Sequence, residues 1–377
     1  MAYDTLGLRF LLDVVKKLDY NRSYMGTNFG DLGLPDNAMR QGGPGLFPVK
    51  DVMFDELTWD VISAENQLAG VYAVDGEIKP GDDPNYETLF ADIVRIGSSR
   101  IVPESAVRTL RDPGMIGTES GMVASFRKTA ERKVRERLEW CNSEVNSTIE
   151  YLCMNALQGS LTWPATGPSN PPGYAQSNFT LTWSDVTTGN ISDLTGGTAV
   201  AWSTVATANA INDLEVIAQA FADKGIPVDG NRLTMICSSK VLSYLRKSTL
   251  LQGVLQYTNP GFLDITQTKT FIEREFGHTI IPYDALWSYR TYSSAGAITE
   301  NWTRFLDENK VIIFPSYLAN DLGDLATSPS MANDWNTGKF TFRKENQNPW
   351  NVEIGVGINA FPRFKRPNAV CCYTVNA

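Results

Sequence analysis

Few residues in this chain have the types and spacing that chemistry needs. There is one histidine, His278, in Gly277-His278-Thr279-Ile280-Ile281. A hydrolase triad would have to place a nucleophile and a carboxylate around it. Its neighbours are strand-type residues after a helix stop, so a helix-to-strand joint is the plainer reading. Cys141, Cys153, Cys237, Cys371 and Cys372 form no CxxC pair, and neither HExxH nor EF-hand spacing occurs. No metal and no cofactor is therefore expected, with weak calcium binding by scattered Asp and Asn left open. There is no GxxxxGK[ST] phosphate loop, and Gly355-Val356-Gly357 reads as strand rather than as a dinucleotide fingerprint. Asp82-Asp83 and the stretch from Asp321 to Asp324 sit among turn residues. They read as solvated loop charges rather than as a glycosidase pair.

The densest charge is cationic. Arg127, Lys128, Arg132, Lys133, Arg135 and Arg137 face Glu131, Glu136 and Glu139, in a chain of net charge −9. One reading is a solvated helix face laced by i,i+4 pairs. The other is sequence-blind contact with phosphates or with an acidic partner. The acidic balance, with pI near 4.9, argues against a dedicated nucleic-acid binder.

These charges lie on the element that organises the chain. Residues 119–158 read as one helix, with Ser120 able to cap it, Gly159 just past its end, and no Pro inside. At about 1.5 Å per residue it would span roughly 60 Å. Its apolar stripe is Met122, Phe126, Ala130, Val134, Leu138, Cys141, Val145, Ile149, Leu152 and Ala156. The steps are fours and threes, which suits a straight helix lying on a surface better than a two-stranded coil. Such a helix is a strut.

The other segments divide around it. Residues 1–47 start with a short amphipathic helix and then loosen into glycines, yet carry Tyr20, Tyr24, Phe29 and Phe47. They read as an arm ordered by neighbours. Residues 48–104 read as a long β excursion with a turn at Asp75-Gly76 and a polar tip from Lys79 to Pro84. After the helix come strand fragments rich in Thr, Gly, Pro and Trp. An α/β pattern follows, with helices at 212–224, 239–246 and 268–276 and strands at 233–237, 278–282 and 310–315. The end alternates through Val352, Ile354, Val356 and Ile358. An odd cysteine count without a framework fits a reducing compartment. No signal peptide or membrane-spanning run is visible, so a soluble protein made in a cytoplasm, with no membrane partner, is expected.

Taken in order, these pieces resemble the tailed-phage major capsid proteins of the Hong Kong 97-type fold, and most closely the lambda-like major head protein family. Four stretches carry the likeness: Arg100-Ile-Val-Pro-Glu-Ser105, Asp213 through Pro227 with the strand and helix after it, Lys310-Val-Ile-Ile-Phe-Pro315, and Gly355 through Pro362 to Val370. None is a sharp motif; order and spacing carry the resemblance.

The resemblance implies an α+β capsid fold without enzymatic activity. Its parts would be an N-terminal arm (1–47), an extended loop lying over a neighbouring subunit (48–104) and a peripheral domain with the spine helix (105–199). An α/β axial domain (200–340) and C-terminal strands completing one or both domains (341–377) would follow. Hexamers and pentamers of the chain would close an icosahedral shell around double-stranded DNA in the virion. A portal and a decoration protein would be partners; with only 47 residues before the excursion, scaffolding would come from a separate protein, or a fused scaffolding segment would have been removed. Trp59, Tyr72 and Phe90 would be inter-subunit contacts. Arg127, Lys128, Arg132, Lys133 and Arg135 would face the DNA. Lys79, near the loop tip, is a cross-linking candidate without an identifiable partner. Two alternatives remain: a cellular nanocompartment shell of the same fold (encapsulin-like), and an α+β enzyme or sugar-binding tail protein using the Trp-rich stretch from Trp163 to Trp202.

Overall fold

The computed structural model describes residues 46–53, 56–62, 86–103, 119–163, 179–228, 232–258, 264–292, 298–319, 321–331, 335–347 and 350–376. The expected arm as far as residue 45, the tip of the excursion, Tyr72 and Lys79 lie outside them. The described chain opens with β1 (Val49–Asp51), then the antiparallel hairpin β2 (Glu56–Ile62) and β3 (Tyr86–Asp92), then β4 (Val94–Pro103). Helix α1 runs Glu119–Leu157, 39 residues. Every described member of its apolar stripe, from Val134 to Ala156, is buried. Gly159, at φ 86°, turns the chain out of it. The short pair β5 (Ser160–Trp163) and β6 (Phe179–Thr182) and strand β7 (Thr187–Asn190) follow.

The next stretch alternates helix and strand: α2 (Ala210–Asp223), β8 (Leu233–Cys237), α3 (Ser239–Lys247), α4 (Thr249–Thr258), α5 (Ile265–Phe276), β9 (Thr279–Pro282). Local signals set these boundaries. Asn209 and Ser238 cap α2 and α3, and Asp264 with Gln267 forms a capping box on α5. Gly277, at φ 71°, ends α5. A hairpin, β10 (Leu286–Tyr292) with β11 (Ile298–Arg304), then precedes β12 (Lys310–Pro315), β13 (Gly323–Thr327), β14 (Phe340–Gln347), β15 (Trp350–Phe364) and β16 (Cys371–Thr374).

Two five-stranded sheets organise these elements. The first is centred on β15. Ala360 pairs with both Val94 of β4 and Thr327 of β13, so those partners lie on opposite edges. β13 and then β14 follow one another along one edge, β4 runs along the other, and β1 adds in parallel to β13. One face of this sheet lies under α1. Val352, Ile354, Val356 and Ile358 are buried there, beside Ser98 and Arg100, which both bond to Glu144 of α1. The opposite face has glycines where the Phe340 and Phe342 rings of the neighbouring β14 lie: a Cβ on Gly355 would sit 2.6 Å from Ser98 O, and one on Gly357 would sit 2.7 Å from the Phe340 ring. The second sheet has order β7-β16-β12-β8-β9, with every residue of β8 and all but Lys310 of β12 buried.

Sheet membership cuts across the divisions drawn from sequence. β13, expected in the α/β lobe, belongs to the β15 sheet, while β7, expected before that lobe, extends the second sheet. The C-terminal strands complete both: β15 is the centre of one sheet and β16 an inner strand of the other. The sequence reading did not find α4 or the β10–β11 hairpin.

Candidate assembly site

The excursion is rooted in an aromatic cluster. Phe47, from the end of the arm, is fully buried and packs on Phe364, ring centroids 6.4 Å apart. Trp59, on β2, packs on Phe361 at 6.5 Å and donates its Nε1–H to the Phe364 carbonyl at 3.1 Å. Phe179 meets Phe361 at 6.0 Å, and Trp183 meets Phe364 edge-on at 5.7 Å. Tilted and edge-to-face rings at such spacings stabilise beyond their buried area. Beside the cluster, Asp324 of β13 takes both a two-pronged contact from Arg363 of β15, at 2.5 and 2.8 Å, and the Lys365 ammonium at 2.8 Å. The Asp324 side chain is only 3% exposed, so this pair is held away from water and its loss would strand a charge.

One expectation is corrected here. Trp59 was expected to meet a neighbouring subunit, but its own chain covers it, leaving it 5% exposed. The cause is register: β2–β3 pairing leaves Trp59 and Leu57 on the face that packs down, not out. Phe90 lies on β3 opposite Thr58. The cluster was not visible in the sequence, because Phe47, Trp59, Trp183 and Phe361 are far apart in the chain and follow no motif.

On α1, Arg127 and Lys128 lie within the helix. Arg132 is exposed and pairs with Glu136 at 3.8 Å, and Lys133 pairs with the same carboxylate at 3.0 Å. Arg135 is exposed on the same helix. The i,i+4 lacing is therefore real, and such surface pairs contribute little each. Trp140, farther along, is 59% exposed. On another side of the helix, Lys339 reaches Asn142 Oδ1 at 2.6 Å and Asn146 Oδ1 at 2.5 Å. Burial among these neutral groups pulls its ammonium down to about 8.

The groups with chemical potential are tied into the fold. His278 is 2% exposed, and its Nδ1 accepts the Leu233 N–H at 3.3 Å. Burial lowers its proton affinity. It joins α5 to β8 as a neutral acceptor. All five cysteines are buried free thiols. Trp183 and Trp202 are 4% and 1% exposed, so these members of the Trp-rich stretch are core rather than a sugar platform. Among the described residues no group of three or more His, Cys, Asp or Glu is placed to hold a metal ion.

A clamped hairpin, a long helix bedded on a sheet, and reactive groups used as packing are the features of a building block. A family model described as phage major capsid protein E matches residues 34–375, so the chain belongs to that family. No curated protein matches it. Among solved structures it is similar to a chain assigned as a prophage capsid protein of E. coli CFT073, with TM-score 0.47, 13% identity, and 77% of this chain and 80% of that chain covered. It is also similar to the capsid of Ralstonia phage GP4, with TM-score 0.45, 13% identity and 88% of each chain covered. A third is the capsid of Cyanophage P-SCSP1u, with TM-score 0.44, 9% identity, and 88% of this chain and 86% of that chain covered. The protein is a structural subunit of the tailed-phage capsid shell, which assembles from copies of it, and its place is the virion. The family match favours this over a cellular nanocompartment.

Proposed function

We propose that this chain is an architectural subunit without catalytic activity. Its copies form hexamers and pentamers that close an icosahedral head around double-stranded DNA. The family match over residues 34–375 carries the reading. The rooted hairpin supports it: both feet of the excursion are fixed in one sheet, β1 on β13 and β4 on β15, so the segment between them can reach outward without loosening the subunit. The tip of that excursion contacts a neighbouring subunit, and the exposed cations of α1, Arg132 and Arg135 among them, face the packaged DNA as sequence-blind phosphate contacts. A scaffolding protein, a portal and a decoration protein are its further partners in this reading.

The test is deletion of residues 77–85, read by sedimentation and negative-stain microscopy. The expected result is a folded subunit that no longer forms shells; normal shells would refute the role of the tip. Charge reversal at Arg132 and Arg135 is expected to leave shells intact and to lower their DNA content. Unchanged content would remove the DNA-facing assignment and leave the shell reading standing.

A further inference from the structure

On the edge of the first sheet, the chain between β13 and β14 is described at residues 328–331 and 335–339. Its base is fixed by polar contacts. Ser328 N–H donates to Asn359 O, Asn359 Nδ2 donates to Pro329 O at 3.2 Å, and Ser330 bridges Asn336. Asn359 itself is 7% exposed. Beyond the turn, Lys339 anchors the return to α1. The tip is the opposite: Met331 is 77% exposed and Trp335 is 72% exposed. Trp335 also stands at φ 60°, the left-handed region that a bulky side chain seldom adopts, held there by its N–H bond to Ser330 O at 2.9 Å. Met53, 85% exposed, leaves the sheet at the same place, because Val52 N–H ends on Thr327 O, where the turn begins.

An apolar tip on a fixed, strained base is a pre-organised contact: little freedom remains to be lost when it is covered. We infer that Met331 and Trp335, with Met53 leaving the sheet where their turn begins, form a contact that seats on a second copy of this chain. Two observations select that occupant. The chain belongs to a family of shell subunits, so copies of itself are its principal neighbours. The three side chains also offer only a few hundred Å², short of the roughly 800 Å² per partner that a stable stand-alone interface buries. A contact of that size suits one of several that a subunit makes in a lattice of copies, where each need not hold alone. The inference rests on the shell reading.

The test uses the full chain with Met331→Cys. All five native cysteines are buried, so a maleimide reports on the new thiol. Labelling is compared between shells built of this chain alone and subunits dissociated from them. At least about tenfold slower labelling in the shell is expected. Equal labelling overturns the inference, because the tip then faces solvent in the assembly. A second variant, Trp335→Gly, relieves the left-handed strain while deleting the ring. Circular dichroism and melting of the subunit are expected to hold, with shell yield falling by about tenfold or more, the scale of losing a modest hot spot. Wild-type yield, or a subunit that unfolds, overturns the contact role. If neither the variants nor the wild-type chain forms shells even when its scaffolding protein is supplied, the shell reading fails, which is distinct from shells that form with the tip exposed.

Discussion

Replacing Trp59 separates two readings of the hairpin, as a part of the subunit's core or as a face for neighbours. Its side chain is 95% covered by its own chain, packs on Phe361 and donates to Phe364 O. Trp59→Ala deletes that packing and leaves a cavity beside Phe361, which costs about 3–5 kcal/mol for a buried aromatic. Trp59→Phe keeps most of the ring contact and removes the indole donor, at about 1 kcal/mol. The assay is denaturant unfolding of the purified, unassembled subunit, followed by tests of shell formation. The expected order is wild type, then Phe, then Ala, with the loss already complete in the unassembled subunit. If Trp59→Ala unfolds within about 0.5 kcal/mol of wild type and yet fails to assemble, the burial reasoning is wrong and Trp59 is a contact after all.

Three further outcomes follow from the same structure. Gly355→Ala should destabilise the subunit by about 1–3 kcal/mol or more, because the new methyl meets Ser98 O, a backbone atom of the paired strand, as well as the Phe342 ring; urea melts of the unassembled chain check it, and a neutral result would mean the sheet yields locally. Lys339 has its folded value depressed to about 8 from 10.5, so the unfolded chain binds more protons between those limits and stability from this group rises with pH there. Lys339→Met should remove that rise, worth roughly 3 kcal/mol at most, and stability curves for variant and wild type that stay parallel from pH 8 to 10.5 would contradict it. His278 is also depressed, so its contribution is fully present above about pH 6.5 and declines as pH falls below that value, when the unfolded chain takes the proton more readily. His278→Asn, which keeps an acceptor for Leu233 N–H, should flatten that part of the acid limb, and an unchanged limb would place the sensitivity elsewhere.

What the sequence disclosed follows the range of the forces involved. The spine helix was legible almost to the residue, 119–158 expected and Glu119–Leu157 found, because its stripe repeats over ten positions and its ends carry their own stop signals. The alternation at Val352, Ile354, Val356 and Ile358 announced a strand for the same reason. α4 escaped because it is only 10 residues long and Gly253 interrupts it. The β10–β11 hairpin escaped because Trp287 faces Tyr151 while Trp302 is exposed, which blurs the two-residue alternation. Trp59 was misread for a related reason. An aromatic on an excursion with no visible local core looks like a contact, and its partners, Phe361 and Phe364, are about three hundred residues away.

That separation also explains how the hairpin is held on the subunit. The first sheet is assembled from three distant parts of the chain: residues 49–51, 94–103 and 323–364. The excursion leaves from the first and returns through the second, so both of its feet are strands of the sheet beneath α1. The β2–β3 hairpin is thereby flanked by paired strands and held by the Phe47–Trp59–Phe361–Phe364 cluster. The α/β lobe is built differently, from α2 through β12 with capped helices and one late strand, β16, added from the tail. The two sheets are joined by α1 and its surroundings: Tyr283 donates its hydroxyl to Glu150 at 2.7 Å, and Gln158 donates to Phe305 O at 3.2 Å. Helix α1, buried along one side from Val134 to Leu157 and bonded near its end to Tyr283 and Phe305, ties the sheet that holds the hairpin to the α/β lobe at a fixed spacing. Repeating a subunit around a closed shell requires that fixed spacing, and a single strut meets the requirement with one uninterrupted run of local hydrogen bonds.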